Sequence, residues 1–492
     1  MLFIVSAALT VSFLVYLFIG IKLGRSTKSV ADMLPIAQGK QAAVKNSNEF
    51  SSSTVASTIS LATVVVAFFE LAPNLGVWLY WCVFTTSLGI WVVRWIAPKI
   101  WKRLAHYPNR PSLHEFLGTE FNSNTVALIG AICTSLGFLG AFAVELTVGS
   151  RFLAGLIPGL PQWAVVAVLC TVAFIYTSYG GFRAVIVTDK FQMIAIWLLL
   201  IALSSFIIYM IIQNGGWDDS VAKIPDNIKT FNWQDGLASF MIGIFIMNVL
   251  SYASDMSLWQ RISASDEPKT VLKGLWASVT ISGVTWTIIV SLSCLIFVVI
   301  SPVKGENPLI TLLAYTGYQA GVFGKIILFF GVLGLFGAML STASTQLIAV
   351  SHTIYEDISA KFRKVSLNDR LESRRELNIS RIILVYAALI AIIIVELLAY
   401  YGYSVVDLIF AVFGAQLSMF PPILMGLLLG KEQLKPLAKY AAAAIIIGFS
   451  SGWLMLIDKN LSSNSPTVSV CVSGAIMLIG YLDILVFRKK KI

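Results

Sequence analysis

Apolar segments of membrane-crossing length recur along this 492-residue chain, about thirteen of them. They fall near 2–22, 50–71, 76–97, 126–150, 162–182, 186–213, 237–256, 274–301, 322–356, 380–400, 404–429, 437–457 and 467–487. About 20 apolar residues of helix span the hydrocarbon core of a bilayer. Lipid offers no partner to a backbone N–H or C=O, so each segment must satisfy its own backbone. The expected fold is therefore an all-α polytopic membrane protein. Hydrophobic residues make up 57% of the chain and charged residues 12%, which excludes an ordinary soluble core. No polar block is long enough for a second globular unit, so 1–492 reads as one transmembrane domain. The first segment has no basic residue before it and no clear small-residue cleavage site, so it reads as a retained helix.

Charge in the loops sets the expected orientation. Lys and Arg gather in alternate loops, from Arg25–Lys45 through Lys99–Arg110, Arg183, Arg261–Lys273, Lys361–Arg381 and Lys431–Lys439 to the tail from Arg488. The opposite loops hold only Arg151, Lys223, Lys229, Lys304 and Lys459, a bias of about five to one. The basic loops are therefore expected on the cytoplasmic side of a plasma (bacterial inner) membrane. That puts the N-terminus outside and the C-terminus inside. The net charge of +10 thus reflects topology and not a nucleic-acid partner. The five cysteines and three histidines are scattered, without metal or disulfide spacing. Neither these nor the polar residues form a catalytic constellation, so an enzyme is not expected.

The polar residues inside the apolar segments carry the functional reading. In the stretch 331–358, Ala338, Ser341, Thr342 and Thr345 fall at i, i+3, i+4 and i+7 on one helical face, with Ser344 beside it. Gly331, Gly334 and Gly337 leave room for a neighbouring helix. Hydroxyls and carbonyls on a close-packed face are hard oxygen ligands suited to Na⁺. Buried Ser and Thr also bond back to their own helix, which is the common role of any single one. The second segment carries Ser57, Thr58 and Ser60 inside an apolar run. A break there would free carbonyls for a ligand; a straight helix with buried hydroxyls is the alternative. Glu145 lies at membrane depth, where a carboxylate needs a partner or a proton. Asp189 follows the turn at Gly180-Gly181 and either caps a helix end or adds a carboxylate to a cation site. Asn248, Ser251, Tyr252 and Asp255 form a polar stripe on the seventh segment. Gln416 precedes Pro421-Pro422, an expected kink. The charged stretch 361–381 reads as a solvated helix.

These residues resemble the sodium/solute symporter family, which includes the sodium/proline and sodium/sugar symporters. The resemblance rests on Tyr176 to Gln192 (Y-T-x-x-G-G-x-x-A-V-x-x-T-D-x-x-Q), Gln260-Arg261, and Ser341-Thr342 running without a gap to Glu356-Asp357-Ile358. It implies a leucine-transporter-like fold. An extra N-terminal helix (2–22) would precede inverted five-helix repeats at 50–213 and 237–429, with two C-terminal helices at 437–487. It implies a sodium site formed by carbonyls of Ala56, Ile59 and Ala338 with the hydroxyls of Ser341 and Thr342. Some members bind a second sodium, which here would fall to Asp189, Ser341, Ser344 and Thr345. The solute cavity or its gate would take Ser57, Thr58, Thr63, Glu145, Asn248, Ser251, Tyr252 and Gln416. Thr63 and Cys82 or Val83 stand where sugar carriers place a glutamine and a carboxylate, and Thr58 where proline carriers place an aspartate.

The expected function is sodium-coupled import of a small organic solute by alternating access. Sodium is the only cofactor implied, the bilayer and the solute are the other partners, and no obligate protein partner is evident. Glu145 favours an amino acid or related zwitterion, since an amine could neutralise it. The alternatives are a monocarboxylate, sugar or sialic acid as solute, or a sensor that keeps the carrier fold without transport.

Overall fold

A computed structural model describes residues 1–35, 43–105, 112–157, 159–301, 306–319, 321–366, 369 and 372–485. Among the described residues, eleven stretches are long and apolar enough to cross a membrane. Two of these are too long for one crossing. The stretch Gln162–Gln213 has 52 residues, about 78 Å of helix against a core of about 30 Å. Its direction changes at Gly181, with φ +61° and ψ −161°. A side chain there would also press its Cβ to 2.6 Å from the Met33 backbone, so both the turn and the close approach require glycine. The stretch Leu61–Leu104 turns likewise at Gly76, φ +49°. Divided at these glycines, the described residues give thirteen crossing helices.

In chain order these are α1 (Leu2–Gly24), α2 (Ser47–Thr58 continued by 61–75), α3 (Tyr80–Ala105), α4 (Asn124–Leu156), α5 (162–180) and α6 (182–213). Then come α7 (Leu237–Ser254 continued by Met256–Ser263), α8 (Pro268–Leu295), α9 (Gly321–His352) and α10 (Arg374–Tyr401). The last are α11 (Val405–Gln416 continued by Phe420–Leu428), α12 (Ala438–Leu454) and α13 (Ser465–Asp483). A short helix, Leu113–Glu120, joins α3 to α4.

The centre of the bundle is α9, which packs on α1, on the α5–α6 pair, on α4 and on α10. Its glycines permit this. A Cβ at Gly334 would stand 2.4 Å from the Leu199 Cβ and 2.6 Å from the Ala195 carbonyl of α6. The outer helices turn their large side chains outward: Phe3, Phe18, Trp163, Ile201, Ile212 and Tyr400 are all exposed. Such an apolar surface matches lipid.

Two helices are interrupted at mid-course, five helices apart. The second segment is not a straight helix: α2 breaks at Ile59–Ser60, where Ile59 adopts φ −94°, ψ 69° and Ser60 φ −68°, ψ 146°. Neither angle is left-handed, so the break needs no glycine. The hydroxyls of Ser57 and Thr58 donate to the carbonyls of Thr54 and Val55 (2.9 and 2.8 Å), holding the first half's last turn. Ser60 then starts a new helix, its Oγ accepting from the Thr63 amide at 2.8 Å. That second half opens as a π-helix, Leu61–Val66.

The other interruption corrects the expected continuous segment 237–256: α7 stops at Ser254 and restarts at Met256. Asp255 is extended (φ −75°, ψ 110°), and its carboxylate accepts from the amides of Ser257 and Leu258 at 2.6 and 3.3 Å. α11 tightens into a 3-10 turn at Leu417–Met419, just before Pro421-Pro422. The stretch 361–381 is not one solvated helix. The chain turns at Lys364 (φ +51°) and α10 begins at Arg374, while residues 367–368 and 370–371 lie outside the described residues. Arg363 pairs both its terminal nitrogens with Glu376, at 2.8 and 2.7 Å.

Candidate cation and solute site

Where α2 breaks, its last carbonyls lose their helical donors. Among the described residues, no backbone N–H donates to the carbonyls of Ala56 or Ile59. Both residues are fully buried and the two halves of α2 pack against α9. On α9, Ala338 and Ser341 are fully buried and Thr342 is 5% exposed. The Thr342 hydroxyl donates to the Ala338 carbonyl at 3.3 Å, the weak back-bond of a buried threonine. The five expected sodium ligands therefore lie on two packed elements, and two of them are carbonyls without a backbone partner. An unpaired buried carbonyl is costly, and a small hard cation is one way to satisfy it.

Asp189, Ser341, Ser344 and Thr345 also come into one buried network. Asp189 is completely buried near the start of α6. Its Oδ1 accepts from the Ser341 hydroxyl at 2.7 Å and its Oδ2 from the Ser53 hydroxyl at 2.5 Å. Ser344 donates to the Ser341 carbonyl at 3.1 Å. A cation already faces this carboxylate. Arg261, 1% exposed on the second half of α7, places Nη2 3.7 Å from Asp189 Oδ2. Its Nε donates to Ser53 at 2.8 Å, Nη2 to Thr345 Oγ1 at 3.1 Å and Nη1 to the Ser257 carbonyl at 3.1 Å. Sequence reading took Arg261 as half of a motif and counted it among the basic loop residues, whereas it is buried inside α7; it missed Ser53. Nothing in local spacing links positions 53, 189, 261 and 345.

A cavity of about 150 Å³ opens beside the two breaks. Ser57, Thr58, Thr63, Asn248, Ser251, Tyr252 and Gln416 all line it, as do Thr342 and Thr345 from α9. Its walls are aromatic: Phe68, Phe138, Phe240, Trp286, Phe410 and Phe413. Gln346, Trp286 and Gln416 were not all foreseen, yet each keeps a buried polar atom without a protein partner: Oε1, Nε1 and Nε2 respectively. Asn248 is spoken for in part, since its Nδ2 donates to Thr85 at 3.0 Å.

Glu145 departs from expectation. It is 1% exposed and does not line the cavity. Its Oε1 accepts from the Ser60 hydroxyl and its Oε2 from the Ala62 amide at 3.4 Å. Glu145 thus lies behind the break and caps the second half of α2. The partner that a membrane carboxylate requires is the protein's own helix end, not a solute amine.

The comparisons agree with this architecture. Over 98% of both chains, the fold matches a Na⁺-coupled sialic acid symporter solved in a substrate-bound outward-open state, with TM-score 0.76 and 16% identity. It also matches a nucleobase-cation-symport-1 family transporter in a closed conformation with bromovinylhydantoin bound, with TM-score 0.52 and 13% identity over 91% of this chain and 94% of that one. A variant of the manganese transporter of Eremococcus coleocola matches with TM-score 0.52 and 15% identity, over 94% and 99%. The fold is that of the leucine-transporter-like carriers. The model of the sodium:solute symporter family matches residues 49–435, and this chain belongs to that family.

Proposed function

We propose that this protein imports a small organic solute by sodium symport, with sodium seated at the break in α2. The observation that carries the reading is the pair of carbonyls without a backbone donor, Ala56 and Ile59, at a break whose two half-helices pack against α9. A sodium there ties α2 to α9 beside the solute cavity. It binds the conformation in which these elements meet better than the one in which they part, and this differential affinity is what couples ion to solute. Entry of each sodium supplies about 2.3 kcal/mol per 100 mV, plus the concentration term.

A second sodium at Asp189, Ser341, Ser344 and Thr345 has to displace Arg261, which holds Thr345 and faces Asp189. The basic loops lie on the cytoplasmic side, with the N-terminus outside, on the charge argument above. The zwitterion preference rested on a Glu145 open to the cavity; its bond to the break removes that ground. The test is uptake by proteoliposomes carrying the purified chain, with and without an inward sodium gradient. The panel comprises amino acids, amines, amides, monocarboxylates, sugars and sialic acids. Sodium-dependent accumulation supports symport. Saturable binding without accumulation favours the sensor.

A further inference from the structure

Which solutes the cavity takes can be argued further, resting on the symport reading. In a carrier built on interrupted helices, a solute carboxylate has a natural seat. It is the N-terminal end of the half-helix beyond each break, where free amides and the positive end of the helix dipole face the cavity. Here an amide at each end is already taken by one of the protein's own carboxylates, from behind the break at α2 and from the cavity wall at α7. At the first break Glu145 accepts from Ser60 and from the Ala62 amide. At the second, Asp255 accepts from the Ser257 and Leu258 amides.

The cavity wall itself carries no basic side chain. Among the described residues lining the cavity there is no Lys, Arg or His, while Asp255 is there. The nearby buried guanidinium of Arg261 is committed to Ser53, Thr345 and Ser257, and its charge is shared between Asp189 and Asp255. An anionic solute entering this cavity would give up its hydration and find no counter-charge of its own. The other polar residues of the wall are neutral, Gln346, Gln416, Asn248 and Trp286 among them, set among aromatic rings that also favour a cation.

We propose that the transported solute carries no carboxylate: it is an uncharged or amine-bearing polar molecule, and Glu145 stands in for the acid group that the break would otherwise receive. Matched pairs sharing one body test this in proteoliposomes of the full chain: choline against betaine, nicotinamide against nicotinate, and an amino-acid amide against its amino acid. The expected result is at least a tenfold preference for the carboxylate-free member in competition for uptake. A carboxylate member that competes equally or better overturns the proposal. Glu145→Gln keeps the shape and drops the charge, so it should bring the ratio within a pair towards one. An unchanged ratio in a variant that still elutes as a single species and still transports overturns the role given to Glu145. The sodium arm separates the two claims. A preference that persists with no sodium dependence contradicts symport and leaves the solute class standing. Sodium-driven uptake of the acids leaves symport standing and overturns the solute class.

Discussion

Ser341 and Thr342 are adjacent residues with different duties. Ser341 donates to Asp189, whereas Thr342 bonds weakly to its own helix and reaches the cavity. Replacing both by Ala removes two hard oxygens and leaves a packable helix. Half-maximal uptake should then need at least tenfold more sodium, with membrane insertion retained; an unchanged sodium curve counts against the site. Asp189→Asn acts differently because it strands Arg261 in the interior. Losing one partner of a buried pair costs about 3–5 kcal/mol, so the thermal unfolding midpoint in detergent should fall sharply. A midpoint within a degree or so of wild type would mean the pair is not coupled as its geometry indicates. The hydroxyl face of α9 was legible in the sequence because i, i+3, i+4, i+7 spacing is local. The Ser53–Asp189–Arg261–Thr345 network was not, because its members come from four elements brought together only by packing. Glu145 was legible as a residue needing a partner, but the partner was the amide and hydroxyl of a distant break.

The helices themselves divide along the same line. Their number and rough extent follow from apolar length, and the Gly180-Gly181 turn from its residues. The interruptions are harder to read. The α2 break uses ordinary negative φ values at Ile59 and Ser60, so no glycine announces it. The α7 break is marked by a single Asp capping two amides, a signal that a polar stripe explains equally well in sequence. Ser60→Ala tests the first break, since it deletes both the cap on Thr63 and the donor to Glu145. A cap alone is worth about 0.5–2 kcal/mol, and solute uptake should fall with it. Retained stability and uptake would show that the break does not depend on Ser60. Gly181→Ala tests the turn: with φ +61° and Met33 at 2.6 Å, the loss should exceed about 1 kcal/mol. A variant with unchanged yield and melting would contradict that.

On the scale of the whole molecule, the end bearing the basic loops carries links between distant segments. The Val44 amide donates to the Ala264 carbonyl at 3.1 Å, and Arg183 holds Glu49 through two bonds of 2.5 and 2.8 Å while also reaching the Ala43 carbonyl. These contacts tie the start of α2 to the α5–α6 turn and to the end of α7. They sit on or beside the same helices as the breaks, so parting them would be expected to move the proposed cation site. That mechanical link is why sodium and solute should cross together, and a static-head measurement reads it directly. Proteoliposomes are given a fixed sodium gradient and a clamped voltage, and the solute ratio at which net flux vanishes is found. For one coupled sodium, each tenfold step in the sodium gradient is worth about 1.4 kcal/mol and should move that ratio tenfold; a second coupled ion would square the factor. A null-point ratio that stays at one whatever the sodium gradient would contradict the account.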